Sequence, residues 1–508
     1  MSIVTVQLGQ CGNQLGASVL DALADEWGRA KSPLVRQAIR ETFFQEVPGK
    51  SREKDQPFFQ ERERWKGGER DGQSELPSPE EDRERVARAV LIDMEPKVVR
   101  ACLRKHTQGC TAVNSREREK RLRWRYNPRS SFCQQSGSAN NWAHGFYKHG
   151  PAVEAQLLEK LKVQLEACER LDGILLVQSL AGGTGSGLGA FVTQLLRDSL
   201  PTTPIVNVCV WPFASGEVAV QSYNAALSVA AAYEDSDAVL LFENDRFGRL
   251  AQQTAETQGG THIQQPVSRT TASFHSLNRK MAEHTLPMIL PDGAASPVGF
   301  PGGPGPLRAA VRHLCSHPAY KMVTSRVVPQ VRDGALSFSE ESWSGLVRRL
   351  QGMYRRHSVV DLEHGDPVVE FAGGKEEGGA CPSVWEGMRT GGNVGIAGSL
   401  YVRGDDWWEA PVETFGHQRN WSALALDPLQ IHGSSHNFRG HRRSAALLSN
   451  CQSCLPPLQC TSRRAFEMLS VGAHLHLFEA HGLEQDEMWA ALQAVDQIAL
   501  SYQSLPFS

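Results

Sequence analysis

The stretch Ser179–Phe191, SLAGGTGSGLGAF, places five glycines within eight residues, Gly182 to Gly189. Backbone of this kind has two physical uses. Freed of Cβ atoms, main-chain N–H groups can turn toward an anion and approach it closely; alternatively, a strand and a helix can meet at a junction too tight for side chains. The flanks bear on the choice. GILLVQSL, ahead of the loop, is an apolar run of strand length, and LGAFVTQLLRDSL behind it sets Leu188, Phe191, Val192, Leu195 and Leu196 at helical spacing. Strand, glycine loop and helix together aim backbone donors and a helix N-terminus at one point, which suits phosphate. A phosphate cradle is the favoured reading and the tight junction the alternative; patterned apolar flanks argue against a slack linker.

Two other phosphate loops fit less well. A Walker loop needs a lysine after its glycines, and AGGTGSGLG has none. A dinucleotide fingerprint laid on Gly185, Gly187 and Ala190 needs an acid at the end of the next strand for the ribose, but PIVNVCVWPF ends in Trp-Pro-Phe. Cys451, Cys454 and Cys460, with His436 and His441 nearby, lack the second well-spaced pair of a zinc site and read as a surface loop. No nucleophile elbow or zinc-protease motif is present.

The elements that must position the loop follow from the pattern of the chain. SIVTVQLG alternates like a half-buried strand, and GQCGNQLGASVLDALADEW continues as an amphipathic helix. AVLIDMEP, PIVNVCVWPF and AVLLFEN read as further strands, AVEAQLLEKLKVQLEACERL and SFHSLNRKMAEHTL as helices. Strands separated by helices predict a parallel sheet covered on both faces. SPVGFPGGPGPL is the best boundary between two domains. Beyond it, YKMVTSRVV, ALSF and NVGIAGSLYVRG read as strands and SWSGLVRRLQGMYRRH as a helix, with a charged, glycine-rich loop around EFAGGKEEGGACPS. HLHLF reads as a strand before a long terminal helix. Two polar interruptions, near residues 45–88 and 107–130, hold too few apolar residues for a core. The basic run in the second carries glutamates and reads as a solvated insertion.

The 508 residues suffice for two or three domains. A net charge of −3 leaves no electrostatic footprint for nucleic acid or an anionic membrane, so neither is expected as a partner. No apolar run reaches the length of a bilayer span, and MSIVTVQLGQ reads as a first strand, not a signal peptide. Eleven scattered cysteines fit reduced thiols in the cytosol.

AGGTGSG (Ala181–Gly187) and GQCGNQ (Gly9–Gln14) resemble the phosphate loop and the N-terminal nucleotide loop of the tubulin superfamily. The resemblance continues in order through LIDMEP, GSANNWAHGFYKHG, GEVAVQSYN, FEND and FHSLN. Within that superfamily, DMEPKVV, VQSYN and HPAYKMVTSRVVP are similar to the delta class, and the end YQSLPFS lacks the acidic tail typical of the alpha and beta classes. The resemblance implies an α/β, tubulin-like fold. It would comprise an N-terminal Rossmann-like parallel sheet with the nucleotide site (1–270), a second α/β domain (271–425) and C-terminal helices (426–508).

It also implies GTP and Mg²⁺ as ligands. Ala181, Gly182, Gly183, Thr184, Gly185, Ser186 and Gly187 would wrap the phosphates, with Gln10 and Cys11 beside them. Asn140 would meet the γ-phosphate, and Asp93 and Glu95 would help hold Mg²⁺; taken alone, Asp-x-Glu-Pro is commonly a solvated strand end. Asn244 and Asn278 match asparagines that recognise guanine, Phe274 an aromatic residue stacked on the base. Glu217 or Gln221 would reach the ribose. Across a tubulin interface an acid on the neighbour's helix orients the attacking water, but in GGPGPLRAAVRHL Ala309 stands in its place and no acid lies between Gly302 and Leu314. Hydrolysis would then be weak at most and dependent on a partner subunit. The implied role is a structural one at centrioles, basal bodies and cilia, in triplet microtubules, with a cytoplasmic or nuclear pool compatible. Implied partners are epsilon-, alpha- or beta-class tubulins and centriolar proteins. A self-contained GTPase switch and a dinucleotide oxidoreductase are the competing readings.

Overall fold

The computed structural model describes residues 1–46, 84–107, 122–214, 218–254, 273–291, 303–331, 341–361, 392–416, 420–424 and 427–506. Much of both polar interruptions, of SPVGFPGGPGPL, and all of ALSF and of the loop around EFAGGKEEGGACPS lie outside the described residues.

In chain order the strands of the first half are β1 (Ser2–Leu8), β2 (Phe44–Glu46), β3 (Arg85–Ala87), β4 (Ala89–Asp93), β5 (Trp124–Arg125), β6 (Ser131–Cys133), β7 (Leu171–Ser179), β8 (Ile205–Trp211) and β9 (Ala238–Glu243). Those of the second are β10 (Met322–Val328), β11 (Gly395–Gly404), β12 (Leu429–Ser434) and β13 (Arg443–Cys451). The helices are α1 (Gly9–Arg29), α2 (Pro33–Phe43), α3 (Pro96–Thr107), α4 (Gly150–Leu165), α5 (Gly189–Ser199), α6 (Gln221–Asp235) and α7 (Asn244–Thr254). They continue with α8 (Phe274–Ile289), α9 (Pro306–Leu314), α10 (Trp343–Arg355), α11 (Leu455–Ser470), α12 (Leu475–Glu479) and α13 (Gln485–Gln503).

Among the described residues ten strands form one sheet in the order β12-β11-β13-β10-β9-β8-β7-β1-β4-β6. From β6 to β10 every pairing is parallel. The second half turns antiparallel: β13 runs against both β10 and β11, while β12 lies parallel to β11. Parallel strands need cover on both faces, and the side chains alternate accordingly. Val4, Val6, Ile174 and Leu176 meet Leu157, Val192 and Leu196 of α4 and α5. Ile3, Leu175 and Val177 meet the opposite layer, where Leu20 and Leu23 of α1 join Met281 and Leu286 of α8. Over the sheet's middle, α11 and α13 pack on α6. In the second half, Leu346, Leu350 and Met353 of α10 cover Val328, Leu400 and Leu447.

Four local readings of the sequence need correction. β1 is buried along all seven residues, not half-buried, because it lies between β4 and β7 with helices on both sides. Its polar residues are satisfied inside: Gln7 donates to Thr5 Oγ1 (3.4 Å) and accepts from Tyr126 Oη (3.1 Å). HLHLF is the short helix α12, whose Leu475 and Phe478 point inward one turn apart. β12 and β13 continue the sheet into the region expected to be helical, because their edges pair with β11. Finally, Cys451 and Cys454 are buried at the end of β13 and do not form a surface loop. The sulfur of Cys451 lies 3.4 Å from the hydroxyls of Ser449 and Ser453. Among the described residues no group of three or more His, Cys, Asp or Glu side chains is arranged to hold a metal ion.

Asn450 ties the two halves of the molecule to the terminal helix. Its amide donates to the carbonyls of Leu314 and Tyr320 (both 2.8 Å), and its oxygen accepts from Tyr502 Oη (2.7 Å). Asn450→Ala removes the donor from the Leu314 and Tyr320 carbonyls, while Tyr502 Oη keeps its bond from Met322 N (2.8 Å); it is expected to lower stability by about 2–4 kcal/mol. Urea unfolding with an unchanged m-value checks this.

Candidate nucleotide site

The site is built at the C-terminal ends of the parallel strands, where each strand turns into a loop. Leu8 of β1 passes directly into Gly9, whose φ of +67° is open to glycine at little strain. Asn13 of α1 anchors this turn, donating to Gly9 O (2.8 Å) and to Ile92 O of β4 (3.1 Å). A Cβ on Gly9 would sit 3.0 Å from Gly185 N, so the first loop lies directly on the glycine loop.

The glycine loop itself divides in function. A Cβ on Gly187 would fall 2.1 Å from Trp142 O, one on Gly183 2.6 Å from Ser138, and one on Gly189 1.8 Å from the Gln178 side chain. The tight-junction reading therefore accounts for these three. Gly182 differs: its Cβ would meet only Asn140 Oδ1, at 3.7 Å. The N–H groups of Gly182, Gly183 and Thr184 donate to no group among the described residues. Thr184 Oγ1 lies 3.0 Å from Ser138 Oγ, and the Ser186 hydroxyl donates to Gly182 O. One turn of π-helix, Thr184–Leu188, then leads into α5. Free donors beside open space at a helix start are what an anion requires.

Opposite the loop, Ala139 and Asn140 both take left-handed backbone angles, with φ of +48° and +52°. They are held by Asn224 on α6, which is wholly buried. Its amide donates to Asn140 O (2.7 Å) and Ala181 O (2.8 Å), and its oxygen accepts from Trp142 N (3.0 Å). Asn224 is the positioning residue that the sequence reading missed, although it closes the quoted motif GEVAVQSYN; Gln221 and Ser228 lie on the same helix face, so its local pattern carries no signal of its own.

Asp93 ends β4, and its carboxylate accepts from Glu95 N (3.2 Å). Burial, followed by the adjacent Glu95 charge, raises its pKa from 3.8 to about 6, against two opposing backbone hydrogen bonds. The Glu95 side chain reaches over Gly137, where a Cβ would lie 3.0 Å from Oε1. The acid pair and the Asn140 loop thus share one edge.

The remaining predicted residues lie on neighbouring elements. Asn244 opens α7, and its Oδ1 is buried without a hydrogen-bond partner. Asn278 on α8 is 5 % exposed and makes no side-chain hydrogen bond among the described residues. Phe274, first residue of α8, is 65 % exposed, an unusual position for a bare ring. Gln221 donates to Phe213 O (3.1 Å), which leaves its oxygen as an acceptor. Gln10 is exposed at the start of α1, and burial lifts the Cys11 thiol to about 12, keeping it protonated at neutral pH. Glu217 lies outside the described residues.

A family model described as "Tubulin/FtsZ family, GTPase domain" matches residues 2–252. The "Tubulin delta chain" of Mus musculus is 32 % identical over 514 residues, covering 99 % of this chain and 100 % of that protein. The one from Homo sapiens is 31 % identical over 517 residues with the same coverage. The "Tubulin gamma chain" of Saccharomyces cerevisiae is 31 % identical over 247 residues, 48 % of this chain and 43 % of that protein. The chain belongs to the Tubulin/FtsZ family, and within it to the family of tubulin delta chains. Membership implies GTP as ligand and a tubulin's cytoskeletal role. The residues fit that ligand: unpaired loop amides suit phosphate oxygens, and the orphaned Asn244 oxygen suits a donor on the guanine edge.

The raised pKa of Asp93 gives a signed prediction. The folded chain holds this proton more tightly than the unfolded chain, so its ionisation lowers stability as pH rises from about 4 to about 6. Asp93→Asn should stabilise the ligand-free protein at pH 7 by on the order of 1–3 kcal/mol. The two proteins should converge in urea midpoint below pH ~4, where the carboxyl is neutral in both states.

Proposed function

We propose that this chain binds GTP with Mg²⁺ at the loop ends of β1, β4, β7, β8 and β9, and serves as a structural tubulin of centrioles and basal bodies. There it supports triplet microtubules, centriole integrity and cilium assembly, alongside an epsilon-class tubulin, alpha- and beta-class tubulins and centriolar proteins. Residues 1–270 form its nucleotide region and residues from 271 its intermediate region, which β12 and β13 extend past 425, before the C-terminal helices α11, α12 and α13. The observation that carries the reading is the pairing of unpaired donors at Gly182–Thr184 with unpaired amides at Asn244 and Asn278. Phosphate and base recognition are both provided for. Asp93 and Glu95 would hold the magnesium, which shields phosphate charge; Thr184 and the loop amides orient the phosphates, and the Phe274 ring stacks on the base.

Its part in hydrolysis is limited by α9. Arg308, Ala309 and Arg312 form the partly exposed side of that helix, and no carboxylate is available there to polarise water for a neighbour. The chain therefore holds GTP without stimulating its turnover on a subunit placed against this face. Phosphate release from a GTP-loaded partner tubulin should not accelerate on mixing, whereas Ala309→Glu should introduce acceleration that depends on both concentrations.

Purification of the chain and identification of its nucleotide test the main claim. Thr184→Val and Asn278→Ala should each weaken GTP retention about 10- to 100-fold, as expected for losing a hydrogen bond worth about 1.5–3 kcal/mol. Only Asn278→Ala should also erode the preference for guanine over adenine. A folded chain that takes up no guanine nucleotide with magnesium present would refute the assignment.

A further inference from the structure

Helix α3 follows the acid pair directly and contains no acidic residue. Lys97, Arg100 and Arg104 stand at i, i+3 and i+7 on its exposed side, opposite the buried Val99 and Cys102. They line a cavity of about 720 Å³ together with Glu95, Gln135 and Gly137. Among the described residues neither Lys97 nor Arg100 has an acidic partner. Like charges three and four residues apart disfavour a helix, so this stripe is maintained against local preference.

We propose that this groove is a docking surface for an acidic, extended segment of another polypeptide. The stripe from Lys97 to Arg104 runs about 10 Å along the helix, which an extended chain spans in about three to four residues. Carboxylates at alternate positions of such a chain are about 7 Å apart on one side, close to the spacing of the cations. Gly137 leaves the floor without a side chain, and the Gln135 amide supplies further hydrogen-bonding groups. Glu95 closes the end of the groove that borders the proposed magnesium site. Nucleic acid is the poorer occupant because, among the described residues, no aromatic ring lines the groove to stack a base. A second copy of this chain would have to bring an acidic strand to the same place. This surface goes beyond nucleotide binding: it adjoins the nucleotide site at Glu95, and its cations Lys97, Arg100 and Arg104 take no part in that site.

The test uses the full chain and a fluorescein-labelled oligo-glutamate of about eight residues, followed by anisotropy. Saturable binding at low ionic strength is expected, weakening steeply as salt is raised. Lys97→Glu/Arg100→Glu should reduce affinity at least about tenfold, and Lys97→Gln/Arg100→Gln by an intermediate factor. Both variants should retain far-UV circular dichroism and the parent's guanine-nucleotide content, which separates failure here from failure of the nucleotide site. Equal binding by parent and charge-reversed chain would overturn the proposal. So would tighter binding of oligo-uridylate than of oligo-glutamate, or self-association of the parent in sedimentation that the charge reversal abolishes.

Discussion

One amide organises the nucleotide end of this molecule. Asn224 lies in the buried face of α6, and all three of its hydrogen bonds go to main-chain groups of two different loops. Those loops cannot satisfy one another. Ala181 belongs to a turn whose next N–H groups must stay free for an anion, and Asn140 sits in a left-handed conformation that is costly for the alanine before it. A site that keeps its donors unpaired must be held open from outside, and the buried amide supplies that hold without occupying the donors. The close glycine contacts do the rest: Trp142 against Gly187 and Ser138 against Gly183 leave no room for the loops to collapse onto each other.

The same logic explains which parts of the structure could be read from the sequence. Strand, glycine loop and helix were legible because each has a period or a composition of its own, and the parallel arrangement followed from their alternation. The fate of individual glycines was not. The two readings of SLAGGTGSGLGAF turn out to share the loop: Gly183, Gly187 and Gly189 are there for packing, and Gly182 faces open space. β1 looked half-buried because Thr5 and Gln7 are polar, yet only the position of the strand in the sheet decides exposure, and here Tyr126 reaches in from another segment to satisfy Gln7. Asn224 escaped notice because nothing in its local pattern distinguishes a clamp from a solvated helix amide. Its role exists only when two distant loops arrive beside it.

The second half repeats the theme with a charge. Arg326 of β10 is wholly buried and faces no carboxylate among the described residues; it donates to Ser358 O (2.8 Å), Thr324 Oγ1 (3.0 Å), Ser449 Oγ (2.9 Å) and Ser453 Oγ (2.7 Å). The Ser449 hydroxyl, which accepts from Arg326, can turn its own proton toward Cys451, and Cys451 donates to Ser453 Oγ (3.4 Å). The Cys451 pKa is lowered overall: burial raises it, and the guanidinium and the serine hydroxyls outweigh that. A cysteine that the sequence presents as half of a C-x-x-C pair is therefore part of the polar interior of a β-sheet. Its neighbours, not its spacing, define it.

The Asn140 loop, which lies opposite the glycine loop, is also the loop that touches the C-terminal helices. Asn141 donates to Leu477 O of α12 (3.0 Å), the His144 ring stacks on His481 at 4.3 Å, and Tyr147 donates to Glu487 at the start of α13 (2.8 Å). From α6, Tyr223 donates to Ala473 O (3.0 Å), one residue from Asn224. Two elements that grip Asn140 thus grip the outer helical layer as well, through bonds short enough to be lost if either side moves by an ångström. Packing of this density does not deform smoothly. A change in backbone at Asn140 must either break these contacts or carry α12 and the start of α13 with it, and that linkage follows from the positions of Asn141, His144, Tyr147 and Tyr223 alone.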